Sequence, residues 1–365
     1  MGDIKYLKVS SPGRICLFGE HQDYLGLQVV AAAISLRFWV EGKPGPENLF
    51  TINLPDLGEK EEFKVEGELP YLKKRDYLRS TVNVLLRLGC HFSRGWEVQM
   101  HGNIPINAGT SSSSAMVVAW TKFLLEAGGH SHLAEKPEQV AELAHRAEVV
   151  EFNEPGGKMD HYTSAAGGLV WIKFLPELNL TRLTAPLGKF VLGDSLEKKD
   201  TTGTLGSVRE RVNAGLQRLR KIEPGLDLKK VTVEEITGLS QNLPPEIKNP
   251  LIGAVLNRDL TKEGLKLFMS PNFDHKEFGR LLSEHHKVLR ELVGISTPKI
   301  DRMLQAAAEA GAYGGKINGS GQGGCMFVYA PEDPEKAARA IEKVGGRPYL
   351  IEVDEGLRVE EKIMT

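Results

Sequence analysis

Apolar and polar residues alternate over "ISLRFWV" (34–40), with Ile34, Leu36, Phe38 and Val40 on one side, which predicts a half-buried antiparallel strand. "LGLQ" ahead of it reads as a turn, and "GWEVQMHGNI" (95–104) alternates again. Between the two, residues 43–70 are rich in Pro, Gly and acid and read as a surface excursion between short strands, followed by a helix over 76–88. The period then changes. After four serines, Met116, Trp120, Phe123, Leu124 and Ala127 recur at i, i+4, i+7, i+8 and i+11, one face of a helix that Gly128-Gly129 ends. A second helix starts after Pro137, turning Val140, Leu143, Ala144 and Ala147 inward with Glu148 at the flank of that face. "GGLVWIKFL" (167–175) reads as a strand and "LEKKDTTGTLG" (196–206) as a polar loop.

A domain boundary near residue 185 divides the chain into 1–185 and 186–365, the second part being more helical. Phe278, Leu281, Leu282, His285, Leu289 and Leu292 form one stripe, on which His285 reads as a packed histidine rather than a ligand. Ile300, Leu304, Ala307 and Ala308 form another. "CMFVYA" is a strand, "DPEKAARAIEKVGG" a helix with Pro334 in its first turn, and "PYLIEV" a strand. Strand–helix–strand order after a Gly-rich loop predicts an α+β sandwich.

The 365 residues suffice for about two domains, and 41% hydrophobic with 26% charged residues is a globular composition. A net charge of −2 gives no basic excess for nucleic acid or an anionic membrane, and no run is long enough to span a bilayer. Cys16, Cys90 and Cys325 are too scattered for a disulfide framework or zinc site. With no apolar leader in "MGDIKYLKVSSPGR", they point to a cytoplasmic protein with no nucleic-acid, membrane or obligate protein partner.

Three stretches carry candidate chemistry. In "IPINAGTSSSSAMVVAW" (104–120), a small-residue loop feeds a helix N-terminus, where free N–H groups and the helix dipole favour an anion, phosphate above all. One serine would suffice as an N-cap, and the lysine of a Walker-type loop is absent. In "SPGRICLFGEHQDYLGLQVVAAAI" (11–34), Glu20, His21, Asp23 and Tyr24 follow a strand, either as a solvated turn or as partners for sugar hydroxyls. In "GAYGGKINGSGQGGCMFVYA" (311–330), Gly319, Gly321, Gly323 and Gly324 form either a hairpin turn or a loop that approaches a ligand closely.

In order and content these three stretches resemble the GHMP kinase superfamily, and within it galactokinase. "PGRICLFGEHQDY" is similar to the galactokinase signature "PGRVNLIGEHTDY", and "GGKINGSGQGGC" resembles the third family motif. Between them, "FGRLLSEHHKVLRELVGISTPKIDRML" is similar to the galactokinase stretch with "SHxSLR" and "VSxPELD". The resemblance implies a two-domain fold, with an N-terminal domain like ribosomal protein S5 domain 2, a ferredoxin-like C-terminal domain and the active site between them. It implies an ATP-dependent kinase acting on the anomeric hydroxyl of a galactose-like hexose, with ATP as co-substrate and Mg²⁺ as cofactor.

Residue by residue, the resemblance implies that Asn107, Ala108, Gly109, Thr110, Ser111, Ser112, Ser113 and Ser114, with Gly319, Gly321 and Gly323, bind ATP. Ser113 and Glu148 would hold Mg²⁺. Asp160 would be the catalytic base or orienter, paired with Arg14, and Glu20, His21, Asp23 and Gly157 would bind the sugar. Four departures stand out: Asn107 for Gly, Thr110 for Leu, Gln22 for Thr, and Lys158 where galactokinases carry an apolar residue. A lysine beside the catalytic loop makes a uronic acid an alternative acceptor, as is another sugar or a mevalonate-like alcohol. A galactokinase-like ligand sensor is the alternative of another class, disfavoured because the catalytic set is complete. Trp39, Trp96 and Trp120 are candidates for stacking on the base, although most tryptophans are simply core.

Overall fold

The structure, a computed structural model, describes residues 3–198 and 201–365. Its first sheet is built on two long antiparallel strands, β1 (Ile4–Phe18) and β2 (Val29–Pro44). "VVAAAI" at the start of β2 is buried on both faces, which its small β-branched and alanine side chains permit. β3 (Leu49–Leu54), β4 (Glu59–Lys64), β5 (Trp96–Gly102), β6 (Leu169–Lys173) and β7 (Asn179–Leu183) complete the N-terminal part. The remaining strands are β8 (Phe190–Asp194), β9 (Gly314–Ile317), β10 (Cys325–Tyr329), β11 (Arg347–Ile351) and β12 (Arg358–Met364). The first sheet runs β12-β1-β2-β5-β3-β4, with β6 also pairing β2 and β7 pairing β6, so the last strand of the chain returns to the first.

The helices are α1 (Tyr77–Leu86), α2 (Ser112–Ala127), α3 (Pro137–His145), α4 (Met159–Ala166), α5 (Thr201–Leu219), α6 (Val233–Leu239), α7 (Pro245–Met269), α8 (His275–Val288), α9 (Pro298–Glu309) and α10 (Pro334–Lys343). α2 packs on β1 and β2 with α1, α3 and α4 around it. It is buried beyond its predicted face, since Val117, Val118, Ala119 and Leu125 are inaccessible as well as Trp120, Phe123 and Leu124.

The second sheet runs β11-β8-β10-β9, every pair antiparallel. Taken in chain order these strands lie 4-1-3-2, the ferredoxin-like arrangement, with α5 to α9 between its first and second strands and α10 between its third and fourth.

Two predictions of local structure are corrected. Residues 201–206, expected as loop, open α5, while 199 and 200 lie outside the described residues. Glycines and threonines are poor helix formers, but Val208, Val212, Leu216 and Leu219 are all buried, and that stripe holds the helix together. On α9 the buried stripe is Ile300, Met303 and Ala307, with Ala308 exposed, because the packing face lies one position off the predicted one. His285 packs as expected, fully buried and stacked on Phe18 at 6.1 Å, and burial keeps it neutral by pulling its pKa well down.

One buried ion pair joins the two sheets. Lys316 of β9 donates from Nζ to Glu20 Oε2 and to the carbonyl of Cys16, both at 2.8 Å, and lies 5.2 Å from the centre of the Phe327 ring. Both side chains are essentially inaccessible (0% and 3%), so each charge depends on the other. Removing one charge of such a pair leaves the other stranded. Lys316→Met is expected to lower unfolding free energy by about 3–5 kcal/mol, with Lys316→Met/Glu20→Leu recovering most of it. A loss below about 1 kcal/mol in denaturant titration, the value of an exposed pair, would contradict this.

Candidate active site

A cleft of about 370 Å³ opens between the sheets. Its floor is the end of β1, its sides are the serine loop and the start of α4, and Gly319 and Ser320 of the glycine loop reach it from the second sheet. Arg14, Glu20, His21, Asp23, Asn107, Ala108, Gly109, Ser111, Ser112, Ser113, Ser114, Glu148, Gly157, Asp160 and Gly319 all line it. Three predicted residues do not. Thr110 is fully buried, and its carbonyl accepts from Arg14 N at 3.2 Å. Gly321 is packed against Ile295 and Gly323 beside Glu197, so both shape the turn that presents Gly319.

The serine loop is held in left-handed backbone. Asn107 has φ 56° and Ser111 φ 61°, a region disfavoured for non-glycine residues but easiest for asparagine. Ser111 stands at the N-cap of α2, yet no side chain caps the helix. The serines therefore do not serve as ordinary caps, and the first-turn N–H groups are left for an anion, with the helix dipole behind them.

Arg14 sits under this loop. Its Nε donates to Asp160 Oδ1 at 2.8 Å and its Nη1 to the Gly109 carbonyl at 2.6 Å. The Arg14 side chain is 5% exposed but that of Asp160 is 31% exposed, so the carboxylate faces the cleft and the guanidinium stays behind it. Burial acts to raise the Asp160 pKa, but the Arg14 charge and hydrogen bond hold it below the ordinary value. Asn318, absent from the sequence reading, is fully buried and ties the three motifs together. Its Oδ1 accepts from Cys16 N at 2.9 Å, and its Nδ2 donates to the Gly109 carbonyl at 2.8 Å. Gly319 then lies so close to the Gly109 carbonyl, at φ 78°, that no Cβ fits.

Glu148 is on a π-helical turn, Arg146–Val150, that extends α3. It is buried, not at a solvated flank, and accepts from His161 Nε2 at 2.6 Å. Burial would raise its pKa, but the bond and charge from His161 and the hydroxyls of Ser113 and Ser114 keep it low. An ionised carboxylate beside two hydroxyls is a hard-oxygen donor set that suits Mg²⁺ completed by phosphate oxygens. Among the described residues no cluster of three or more His, Cys, Asp or Glu could hold a metal alone.

The residues expected to hold the acceptor, Glu20, His21 and Asp23, lie in the turn between β1 and β2. His21 (φ 61°) donates from Nε2 to the Ser320 carbonyl at 3.1 Å, which leaves Nδ1 to accept from Tyr24 O–H at 2.7 Å. Asp23 Oδ2 accepts from Met159 N at 3.2 Å and Oδ1 from Tyr24 N at 2.9 Å. Gly157 faces it so closely that any Cβ would collide with both carboxylate oxygens. Burial and the neighbouring Asp160 charge push the Asp23 pKa up to about 6. Glu20 lines the cleft, but its Oε2 is taken by Lys316 and by Gly319 N at 3.0 Å, so it anchors the glycine loop. Gln22 is buried and donates to the Ala254 carbonyl of α7 at 2.8 Å.

Lys158 does not line the cleft. Its Nζ donates to Glu142 Oε2 at 2.8 Å on α3, so the reason it offered for an acidic sugar falls away. Trp96 and Trp120 are core and Trp39 stacks on His101, none of them in the cleft, where Phe38, Tyr77 and Arg75 stand instead. Arg75 has φ 64° and pairs with Glu154 at 2.6 Å.

Comparison with known proteins agrees with this arrangement. Residues 76–168 match "GHMP kinases N terminal domain", 263–348 match "GHMP kinases C terminal" and 5–44 match "Galactokinase galactose-binding signature". A mevalonate kinase of Thermococcus gammatolerans is 31% identical over 370 residues, covering 97% of this chain and 98% of that one. A galactokinase of Haemophilus influenzae is 26% identical over 374 residues, covering 97% and 94%. The crystal structure of Lactococcus lactis galactokinase complexed with galactose superposes with a TM-score of 0.81 at 20% identity, over 97% of this chain and 95% of that one. The chain belongs to the GHMP kinase family. It has the two-domain GHMP kinase fold and is an ATP-dependent small-molecule kinase.

The raised Asp23 pKa has a thermodynamic consequence. From an ordinary 3.8 to about 6, the folded chain holds a proton that the unfolded chain has released, so stability falls as pH rises through that window. Asp23→Asn lacks this loss. The melting temperature of the variant minus that of the wild type is expected to grow as pH rises from about 4 to about 7. A difference that stays flat or shrinks in thermal-shift measurements would contradict the assignment.

Proposed function

We propose that the protein transfers the γ-phosphoryl group of ATP to the anomeric hydroxyl of a galactose-like hexose. The observation that carries this reading is the Arg14–Asp160 pair, whose carboxylate opens onto the cleft that also holds Asp23 and the uncapped start of α2. The serine loop from Asn107 to Ser114, with Gly319, would cradle the triphosphate. Asp160, kept ionised by Arg14, would accept the proton of the attacking hydroxyl or hold that hydroxyl in line. Phosphoryl transfer needs little covalent chemistry from the protein, so positioning and electrostatics supply most of the rate. Ser113 and Glu148 would hold Mg²⁺, which supplies charge neutralisation on phosphate oxygens. Cys16, Cys90 and Cys325 are buried and, among the described residues, in no disulfide, which fits a reducing cytoplasm, where ATP is plentiful.

A neutral polyol suits the acceptor end better than an acid. Glu20, Asp23 and Asp160 all face the cleft there. The cleft arginines are engaged, Arg14 by Asp160 and Arg75 by Glu154. A substrate carboxylate would meet like charge there, and the cation beside the cleft outside those pairs is Arg209, which stands 6.0 Å from the centre of the Tyr24 ring and donates from Nη1 to the Pro155 carbonyl at 3.4 Å. The same end can donate and accept with hydroxyls through His21, Asp23 and the backbone at Gly157. A mevalonate-like alcohol is the second reading, favoured by whole-length identity of 29–31% to mevalonate kinases of Thermococcus species.

An ATP-consumption assay with Mg²⁺ decides between them, run against galactose, N-acetylgalactosamine, glucose, arabinose, galacturonate, glucuronate and mevalonate. Turnover of galactose or a close neutral hexose is expected, with Asp160→Ala lowering kcat by about 10²–10⁴-fold. Turnover of mevalonate alone would move the protein to the second reading. An Asp160→Ala enzyme as active as wild type would remove the proposed base.

A further inference from the structure

A second hollow, of about 190 Å³, lies away from the cleft, behind the acceptor turn. Four cationic residues from three segments line it: Lys173 at the end of β6, Lys229 between α5 and α6, and Arg258 and Lys262 one turn apart on α7. No carboxylate lines it. Asp259 is the nearest acid bonded to the set, and it takes Arg258 Nε and Nη2 at 2.8 and 2.7 Å and Lys262 Nζ at 2.9 Å. Asp227 Oδ1 also accepts from Lys229 N at 2.9 Å, so four cations stand against two acids and the hollow is net positive.

The arrangement is built rather than scattered. Arg258 is buried at 4% exposure, fixed by Asp259 and by Nη1 bonds to the carbonyls of Leu228 and Val231 at 2.6 and 2.7 Å. Those bonds pin the loop that carries Lys229 to α7. Lys173 has its ammonium 3.9 Å from the centre of the Trp171 ring, and Trp171 Nε1 donates to Gln28 Oε1 at 3.0 Å. That bond orients the Gln28 amide, whose NH₂ remains a donor available to the hollow that Gln28 lines. Among the described residues no carboxylate pairs with Lys173 or Lys229. Like charges gathered around a cavity raise one another's energy, and an anion inside relieves them.

We propose that this hollow binds a small phosphate-bearing anion, either orthophosphate or a phosphate monoester of a small alcohol. Its volume is below the roughly 300–1,000 Å³ of pockets for drug-sized ligands, which suits a small anion. Its wall includes Gly26, Leu27 and Gln28, and Gly26 N donates to the Asp23 carbonyl at 3.0 Å while Leu27 N donates to that of Gln22 at 3.1 Å. An occupant would therefore touch the segment that carries the proposed acceptor residues, three positions from Asp23.

The test is isothermal titration of the full chain with orthophosphate and, separately, with a hexose 1-phosphate. Both run at constant ionic strength, with a non-hydrolysable ATP analogue and Mg²⁺ saturating the serine loop. One site is expected, weakened at least about tenfold in Lys229→Ala/Lys262→Ala and retained in Lys229→Arg/Lys262→Arg. Both positions are at the surface, so neither double variant threatens the fold. Tighter binding of the monoester would assign the site to a sugar phosphate, and equal binding to free phosphate. Absence of binding heat for both, or equal affinity in wild type and the alanine variant, would overturn the proposal.

Discussion

The cleft exists because a charge has been placed where no water reaches it. Lys316 is the only cation buried to 0% among the described residues, and its ammonium must find acceptors or cost several kcal/mol in desolvation. It finds Glu20, the Cys16 carbonyl and the Phe327 ring, and in doing so pins the second sheet onto the end of β1. Asn318, two residues on, satisfies the backbone of the same strand and reaches the Gly109 carbonyl. Gly109 in turn accepts from Arg14, and Arg14 holds Asp160. A chain of buried polar bonds thus runs from the interface between sheets to the reactive carboxylate. Partial satisfaction of such a network is costly, which makes its geometry nearly all-or-none.

The same network separates the two cleft carboxylates. Asp160 and Asp23 repel one another, and Arg14 bonds to only one of them. The result is an Asp160 held ionised and an Asp23 pushed up to about 6. Environments that drive neighbouring acids apart assign them different work. An always-ionised group suits accepting a proton from the nucleophile, and an acid near neutrality suits exchange of hydrogen bonds with hydroxyls. The proposed division between base and sugar contact therefore has a physical origin in one asymmetrically placed guanidinium.

Much of this was legible in the sequence where local chemistry is distinctive. Alternation placed β2 and β5, and period 3.6 placed α2 and α3 and the small-residue loop ahead of α2. What escaped was whatever depends on long-range pairing. Lys316 and Asn318 stand in a stretch whose glycines drew attention, and nothing local marks a lysine as buried, since Lys is almost never so unless paired. His161 follows Asp160 by one residue, yet its partner Glu148 is thirteen positions back and meets it only through the π-helical turn. Lys158 misled for the converse reason. Proximity in sequence to a catalytic aspartate says little about direction, because the start of a helix sends successive side chains about 100° apart, and Lys158 turns to Glu142. The start of α5 was missed because its glycines and threonines oppose a helix that only the stripe downstream secures.

The relatives divide between sugar and mevalonate kinases, and the structure gives a reason why identity alone does not separate them. In the proposed mechanism the serine loop, Arg14, Asp160, Glu148 and the Lys316–Asn318 network would serve nucleotide and proton, demands that any alcohol acceptor makes equally. Selection must reside in the few groups facing the acceptor alone, chiefly His21, Asp23 and the Gly157 backbone. Those groups contribute little to an overall alignment but decide sign. Under the proposed reading, Glu20, Asp23 and Asp160 at that end would favour a ring of hydroxyls, because each hydroxyl can donate to a carboxylate and accept from an N–H or imidazole. Charge at the acceptor end, rather than percentage identity along the chain, is the property on which the choice of substrate turns.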